Sequence, residues 1–199
     1  MRKKFNRVYQ FKITLKNLEP LIWRQIQVPE TYSFWDLHVA IQDAMNWLDY
    51  HLHLFTLRNP LTGNTVNIGI PDDEFPEDFL LGWNQKIADY FSLENNSADY
   101  RYDFGDGWEH AVVLEKILPS ETGIKYPVCI SGERACPPED CGGTSGYFEF
   151  LEAIMNPFHE NHQEMLRWAG KKFDPSHFDP AQIKFWNPQK RFRVAFKEK

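Results

Sequence analysis

The sequence predicts an α+β protein, a mainly antiparallel β-sheet with a helix after its second strand and C-terminal helices packed on one side. Two observations favour this class. Short segments of alternating apolar and polar residues recur between turns, and helical spacing appears only in a few separate segments. Of the 199 residues, 42% are hydrophobic and 16% aromatic, which suffices for one sizeable core. We therefore expect residues 1–199 to form a single domain.

The first elements are a hairpin and a helix. Residues 8–16 alternate between apolar and polar, and residues 22–28 resume that pattern after Pro20, so the two segments can pair. Ser33 then begins a helix, because Asp36 follows at the spacing of a capping box. The apolar residues after it recur at helical spacing and predict one buried helix face.

The middle of the chain returns to strands. Residues 51–57 alternate, which places His51 and His53 on one face of a third strand. Residues 69–99 are rich in loops and in acidic side chains, which is typical of a solvated surface. Residues 100–118 predict a hairpin around Gly105-Asp106-Gly107, whose second strand is apolar on both faces and is expected to be central and covered on each side.

The second half is predicted to be a loop followed by helices. Residues 129–143 contain all three cysteines and show no periodicity, so they are interpreted as a long loop. Thr144 or Ser145 begins a helix. Shorter helices fit residues 160–169 and 180–187, and the basic tail behind them is either loose or an added strand.

The cysteines are candidate zinc ligands. Cys136 and Cys141 have a spacing that zinc sites use, and Cys129 precedes them. Three thiolates and one imidazole would form a Cys₃His zinc site. The available histidines are His53, His110, His159 and His162. We take His53 as the working choice, and the alternative is that the cysteines are small apolar residues of the core.

A second candidate site surrounds the turn of the central hairpin. A carboxylate and a histidine held together there could perform acid–base work or bind a hard cation. The alternative is that Asp103 and Asp106 satisfy the backbone of a tight turn, as Asx side chains do. Carboxylates of the cysteine stretch would be favoured near the start of the next helix. The predicted binding site is Asp103, Asp106, Trp108, Glu109, His110, Glu139 and Asp140.

Charge and cysteine usage limit the partners. The net charge is −6, with basic ends and an acidic middle, so contact with nucleic acid is possible but is not favoured. No apolar run reaches the roughly 20 residues of a transmembrane helix, and no membrane partner is expected. Three cysteines do not form a disulfide framework, and the N-terminus does not resemble a secretory signal. We therefore expect a reducing, cytoplasmic setting.

Several motifs resemble one known family. The run YDFGDGWEH at residues 102–110 and the run CPPEDCGG at residues 136–143 are similar to those of the plasmid pRiA4b ORF-3-like family. Similar segments also occur at residues 11–15, 22–24, 51–55 and 173–179. The resemblance covers nearly the whole chain. It implies a protein associated with plasmids or mobile elements and a site near these motifs, and it implies no particular reaction.

Three functions are compatible with these observations. The first is a non-catalytic binding or accessory module, whose motif loops recognise an unknown protein or a small-molecule ligand. The second is a metal-dependent hydrolase or nuclease that uses Asp103, Asp106, Glu109 and His110. The third is a DNA-binding accessory protein with weak affinity, which binds through its basic ends. We favour the first, and no residue is predicted to be catalytic.

Overall fold

The computed structural model describes residues 5–70, 79–170 and 173–196, which are organised around one eight-stranded sheet. The strands are Arg7–Leu15 (β1), Ile22–Pro29 (β2), His53–Arg58 (β3), Thr65–Gly69 (β4), Phe79–Leu81 (β5), Ser97–Tyr102 (β6), Trp108–Pro119 (β7) and Val128–Glu133 (β8). They lie in the order β5-β4-β3-β6-β7-β1-β2-β8. All neighbours are antiparallel except β4 and β5, which are parallel, so the predicted α+β class and mainly antiparallel sheet are confirmed.

In the described ranges, four α-helices accompany the sheet. They are Phe34–Met45 (α1), Gly143–Met155 (α2), His162–Trp168 (α3) and Pro188–Ala195 (α4), and single 3₁₀ turns occur at Ile87–Asp89 and Pro180–Gln182. The predicted capping box of α1 is confirmed: the Ser33 hydroxyl accepts from the Asp36 N–H at 3.1 Å, and the Asp36 carboxylate accepts from the Ser33 N–H at 2.9 Å. Within the described ranges, no helix is both long and apolar enough to cross a bilayer.

The core lies on one face of the sheet. Helix α1 and residues of α2, including Tyr147 and Phe150, share one buried apolar cluster with the inward side chains of the strands. In the central hairpin formed by β6 and β7, Tyr100 lies opposite His110 and Tyr102 lies opposite Trp108, and all four point into this core. The C-terminal helices therefore pack on one side, as the sequence predicts.

Several local predictions are wrong. β7 is covered on one face only, because its alternate residues, beginning with the exposed Glu109, face away from the core. Part of the predicted cysteine loop is the edge strand β8, which pairs with β2. The N-cap position of α2 is Gly142, not Thr144 or Ser145, because the helix begins at Gly143. The φ of Gly142 is 90°, a left-handed conformation that suits glycine. The predicted helix over residues 180–187 reduces to a single turn.

Over its described residues, the C-terminal tail forms helix α4 rather than a strand or a loose end. Asn187 caps α4, because its side chain accepts from the Lys190 N–H at 3.1 Å, and Pro188 occupies the first helical position. Helix α4 packs on α1, and the ring of Phe192 meets that of Trp35 edge-on at 5.6 Å. The acidic residues 72–74 and 77–78, predicted to be a solvated run, lie outside the described residues.

Candidate functional site

Three side chains from distant parts of the chain converge where β3 and β6 meet, and we call this group the His51 corner. The Nε2 atom of His51 lies 2.8 Å from Asp140 Oδ1 and 3.5 Å from Asp103 Oδ2. One ligand atom from each of the three residues lies within 4.8 Å of the others. In the part of the chain that the structure describes, no other group of three histidine, cysteine or acidic side chains is gathered this closely.

Asp103 is the fixed part of the His51 corner. It directly follows β6 with a φ of 54°, and its Oδ1 accepts from the N–H groups of Gly105 at 2.9 Å and Asp106 at 3.2 Å. Its own N–H donates to the Leu52 carbonyl at 3.0 Å. The Asx role considered for the turn is therefore confirmed for Asp103 but not for Asp106, and the second oxygen of Asp103 remains directed at His51.

Asp140 reaches the corner from the loop between β8 and α2. The Asp106 carboxylate accepts from the Gly142 N–H at 3.1 Å, and Gly143 packs so tightly on Asp106 that a Cβ there would overlap the Asp106 carbonyl. The hairpin turn and the cysteine stretch therefore lock together. Asp140 itself has a φ of 61° and its side chain is largely exposed, so the corner is accessible to solvent at this residue.

Glu139 ties the same loop to the residues that precede β3. Its carboxylate accepts a short hydrogen bond from the Tyr102 hydroxyl and another from the Leu48 N–H at 2.6 Å. The Tyr102 hydroxyl in turn accepts from the Tyr50 N–H at 3.1 Å. Glu139 therefore holds its loop against Tyr102 and Leu48, and we call these contacts the clamp. Burial, together with the Glu139 carboxylate, raises the pKa of Tyr102 above its ordinary range.

A buried chain of hydrogen bonds supports the segment that carries His51. Gln42 Nε2 donates to the Tyr100 hydroxyl at 2.9 Å, and that hydroxyl lies 2.8 Å from His38 Nδ1. Because the Tyr100 hydroxyl accepts from Gln42, it can donate its own hydrogen to His38 Nδ1. His38 then donates its Nε2–H to Asp49 at 2.7 Å, which fixes the chain two residues before His51.

An open cleft of about 900 Å³ lies beside the corner, with His51 in its wall. It runs between the end of α1 and the C-terminal segment. Its lining includes buried Trp35 and Trp47 and exposed Tyr50 and Trp186. A cleft of this size suits a small-molecule ligand.

Comparison with known proteins identifies the family. The model of the family described as "Plasmid pRiA4b ORF-3-like protein" matches residues 7–182. The chain belongs to the plasmid pRiA4b ORF-3-like family.

Two relatives extend this finding. The chain is 36% identical over 181 residues to uncharacterized protein y4hQ of Sinorhizobium fredii, covering 89% of this chain and 87% of that protein. It is also similar to the crystal structure of MM3350, a protein of unknown function from Methanosarcina mazei Go1. There the TM-score is 0.85 and the identity 48%, over 92% of this chain and all of the other. The family and both relatives are uncharacterised, and the neighbour shares the fold.

In this member of the plasmid pRiA4b ORF-3-like family, the predicted binding residues divide into four groups. Asp103 and Asp140 form the corner, and Asp106 and Glu139 hold its loops together. Trp108 and His110 are fully enclosed by the core, and Glu109 is exposed on the opposite face of the sheet. The set Asp103, Asp106, Glu109 and His110, considered above for a hydrolase or nuclease, therefore does not surround one point.

His53 and His110 are buried residues of the core, and their lowered pKa values keep both rings neutral. Burial lowers the pKa of His110 to about 3. Burial, followed by the neighbouring His38, lowers the pKa of His53 well below its ordinary value. The His53 ring stacks on His38 at a centroid distance of 3.5 Å, and neither of its nitrogens has a hydrogen-bond partner among the described residues.

The structure does not bring Cys129, Cys136, Cys141 and His53 together as a zinc site. Cys129 lies in β8, and its thiol donates to the Ser131 carbonyl at 3.5 Å. The Cys136 thiol lies 3.0 Å from an Arg24 guanidinium nitrogen and 3.1 Å from the Met45 sulfur. Burial raises the pKa of all three thiols, that of Cys141 to about 12, which disfavours the thiolate that zinc binds.

His51 is the site residue that the sequence did not reveal. Alternation places it on the buried face with His53, whereas β3 begins at His53 and His51 precedes it, half exposed. No spacing signal links His51 to Asp103 or Asp140, because a sheet contact and a loop bring them together. The resemblance supplies the one available signal, since the segment at residues 51–55 belongs to the motifs shared with the family.

Proposed function

We propose that this protein is a non-catalytic binding module and that the His51 corner holds a divalent cation. One observation carries the proposal: an imidazole nitrogen and two carboxylate oxygens, from three separate segments, lie within 4.8 Å of one another. A mixed nitrogen and oxygen set suits zinc, manganese or ferrous iron better than calcium, which favours oxygen alone. The zinc considered for the cysteines would on this proposal bind at His51, Asp103 and Asp140.

The hydrogen bonds of the corner support the same proposal. One His51 nitrogen now lies within hydrogen-bond distance of Asp140, so a cation that binds there takes the place of the shared proton. Asp103 is already oriented by two backbone N–H groups, which is the outer-shell support that metal-ligating carboxylates usually have. Cation binding should therefore release protons and weaken as the pH falls.

We also propose that the bound cation shapes a surface for a partner. A cation would join β3, the hairpin turn and the loop before α2, and so would fix the surface that an unknown protein or small-molecule partner meets. Family membership supports an accessory role connected with mobile DNA. The basic ends would allow only weak, salt-sensitive contact with DNA, and three free cysteines support a reducing, cytoplasmic compartment.

Calorimetric titration of the metal-free protein with Mn²⁺ and with Zn²⁺ tests the proposal. We expect one site per chain for the wild type. His51→Ala, Asp103→Asn and Asp140→Asn should each weaken binding by about 10- to 100-fold or more, since even outer-shell changes reach that range. The matched control is His177→Ala, which removes an exposed histidine outside the corner.

Thermal unfolding of each variant separates lost ligation from lost folding. Asp140→Asn is the most informative variant, because that side chain is exposed and its replacement should leave the fold intact. Cation binding that survives all three substitutions, or a wild-type protein that binds neither ion, would refute the proposal.

A further inference from the structure

The cleft beside the corner has walls that suit a flat apolar ligand. Its volume of about 900 Å³ lies within the range of small-molecule sites. The side chains of Trp35 and Trp47 are buried in its wall, and each indole N–H is already bonded to a backbone carbonyl, at 3.1 Å and 2.9 Å. These two rings therefore form an apolar floor to the cleft with no unsatisfied donor, and at 3% exposure each they leave direct contact with a ligand to the exposed side chains around them.

Some of the exposed apolar side chains surround the same cleft. Leu48, Tyr50, Trp186 and Val194 all line it, although their exposed fractions are 57%, 70%, 57% and 65%. Exposed apolar side chains grouped around one cleft favour an interaction site, whereas single exposed residues such as Phe158 are common and need no explanation. The aromatic members can stack on a planar ligand.

The charges in the cleft favour an acidic ligand. Asp43 accepts from Arg191 at 3.0 Å and from the Trp186 N–H at 2.7 Å. Asp49 is bound to His38 and lies 3.8 Å from the same guanidinium. Asp43 is therefore engaged with Arg191 and one oxygen of Asp49 with His38, whereas Asp49 Oδ2 is buried and has no hydrogen-bond partner among the described residues. Lys184 is exposed and forms no ion pair with any residue that the structure describes.

We propose that this cleft binds a small aromatic acid. The planar apolar body would stack against Trp186 and Tyr50 over the buried indole rings, and the single anionic group would lie near Lys184. The inference does not depend on the cation at the His51 corner, because none of its arguments uses that ion.

Fluorescence titration with 8-anilino-1-naphthalenesulfonate, a planar aromatic anion, tests this in EDTA so that no cation takes part. The neutral analogue N-phenyl-1-naphthylamine serves as the second probe. We expect saturable binding of the anion at one site. Trp186→Ala should raise the Kd of both probes about 10-fold, because it removes a stacking surface.

The Lys184→Gln variant separates the effect of the Lys184 charge on ligand binding from that of the shape of the cleft. It should raise the Kd of the sulfonate about 5-fold and leave that of the neutral probe unchanged, as expected for one exposed charge. Phe158→Ala is the matched control, since Phe158 is 96% exposed and lies outside the cleft. Binding that does not saturate, or that Phe158→Ala weakens as much as Trp186→Ala does, would overturn the site. Equal effects of Lys184→Gln on both probes would overturn the acidic ligand.

Discussion

His51 and His53 lie two residues apart, yet their surroundings are opposite. His51 is half exposed and its Nε2 faces two carboxylates. His53 is fully enclosed, stacks on His38 and has no hydrogen-bond partner for either nitrogen among the described residues. On the proposal above, the first ring exchanges a proton for a cation, whereas the second contributes only its shape and its burial.

The difference shows how the end of a strand becomes a site. From His53 onwards the pleat of β3 alternates buried and partly exposed residues, so each side chain is committed to a face. His51 precedes that regular structure, and a buried hydrogen-bond chain ending at Asp49 determines its position instead. The site is therefore built where the sheet pattern stops and neighbouring turns supply the partners.

The largest expected effect is a loss of stability at low pH that the buried His53 and His110 cause. The pKa values of His53 and His110 are lowered in the folded state, so the unfolded chain binds protons that the folded chain excludes. Their contribution to stability is present above the unfolded pKa of about 6.5 and is lost as the pH falls below it. Two such groups should reduce the free energy of unfolding by about 4 kcal/mol between pH 7 and pH 5.

Urea unfolding across that pH range provides the measurement. His53→Phe should make the pH dependence shallower by about one proton, because Phe keeps a buried ring and loses no hydrogen bond. The control is Phe55→Leu, which removes part of a neighbouring core ring without removing a titrating group. An unchanged slope in His53→Phe would show that His53 titrates normally in the folded protein.

The next effect concerns the contact between Gly143 and Asp106, which holds the loop of Asp140 against the hairpin turn. Gly143→Ala combines a φ of 68° with overlap on the Asp106 carbonyl, and should cost about 3 kcal/mol of stability. Gly107→Ala is its matched control, because its φ is 70° but nothing lies within 4 Å of the added Cβ. It should cost about 1 kcal/mol, and Gly107→Val somewhat more. Equal losses in the two alanine variants, measured by thermal unfolding, would mean that packing on Asp106 adds nothing.

The same contrast shows what the sequence could reveal. Asp103 was predicted as a turn residue from the neighbouring glycines, and the capping box of Ser33 and Asp36 was predicted from spacing alone, because both depend on short-range chemistry. The partners of Asp103 were not predictable in this way. His51 and Asp140 are distant in sequence, and a side chain can satisfy a local turn with one oxygen while its other oxygen serves a distant site.

The missed elements have related causes. β8 contains Gly132 and only a weak alternation, and its strand character comes from pairing with β2. A Cβ at Gly132 would overlap the ring of Phe178, so this glycine permits close packing rather than a turn. Helix α4 was obscured by its basic composition, and its position follows from its contact with α1. Tertiary contacts decided each of these elements.

A smaller effect concerns the clamp between the two loops. Tyr102→Phe removes the hydroxyl that donates to Glu139 and accepts from the Tyr50 N–H. Removing a hydrogen bond to a charged group should cost about 2 kcal/mol. Because the clamp positions the loop that carries Asp140, cation affinity at the corner should also fall a few-fold. A loss of stability with unaltered cation affinity, compared by unfolding and calorimetry, would separate the clamp from the site.

The smallest effect concerns Cys136, the buried cysteine beside Arg24. Serine retains an acceptor for the guanidinium and loses only the larger sulfur, so Cys136→Ser should cost about 1 kcal/mol through reduced apolar packing. The bound metal per chain should stay equal to that of the wild type, because the proposed ligands are His51, Asp103 and Asp140. A structural zinc held by cysteine would behave differently, since its loss removes stability and metal together. Metal analysis of the purified variant, beside Asp140→Asn, therefore decides between the two positions: loss of metal in Cys136→Ser and its retention in Asp140→Asn would return the site to the cysteines.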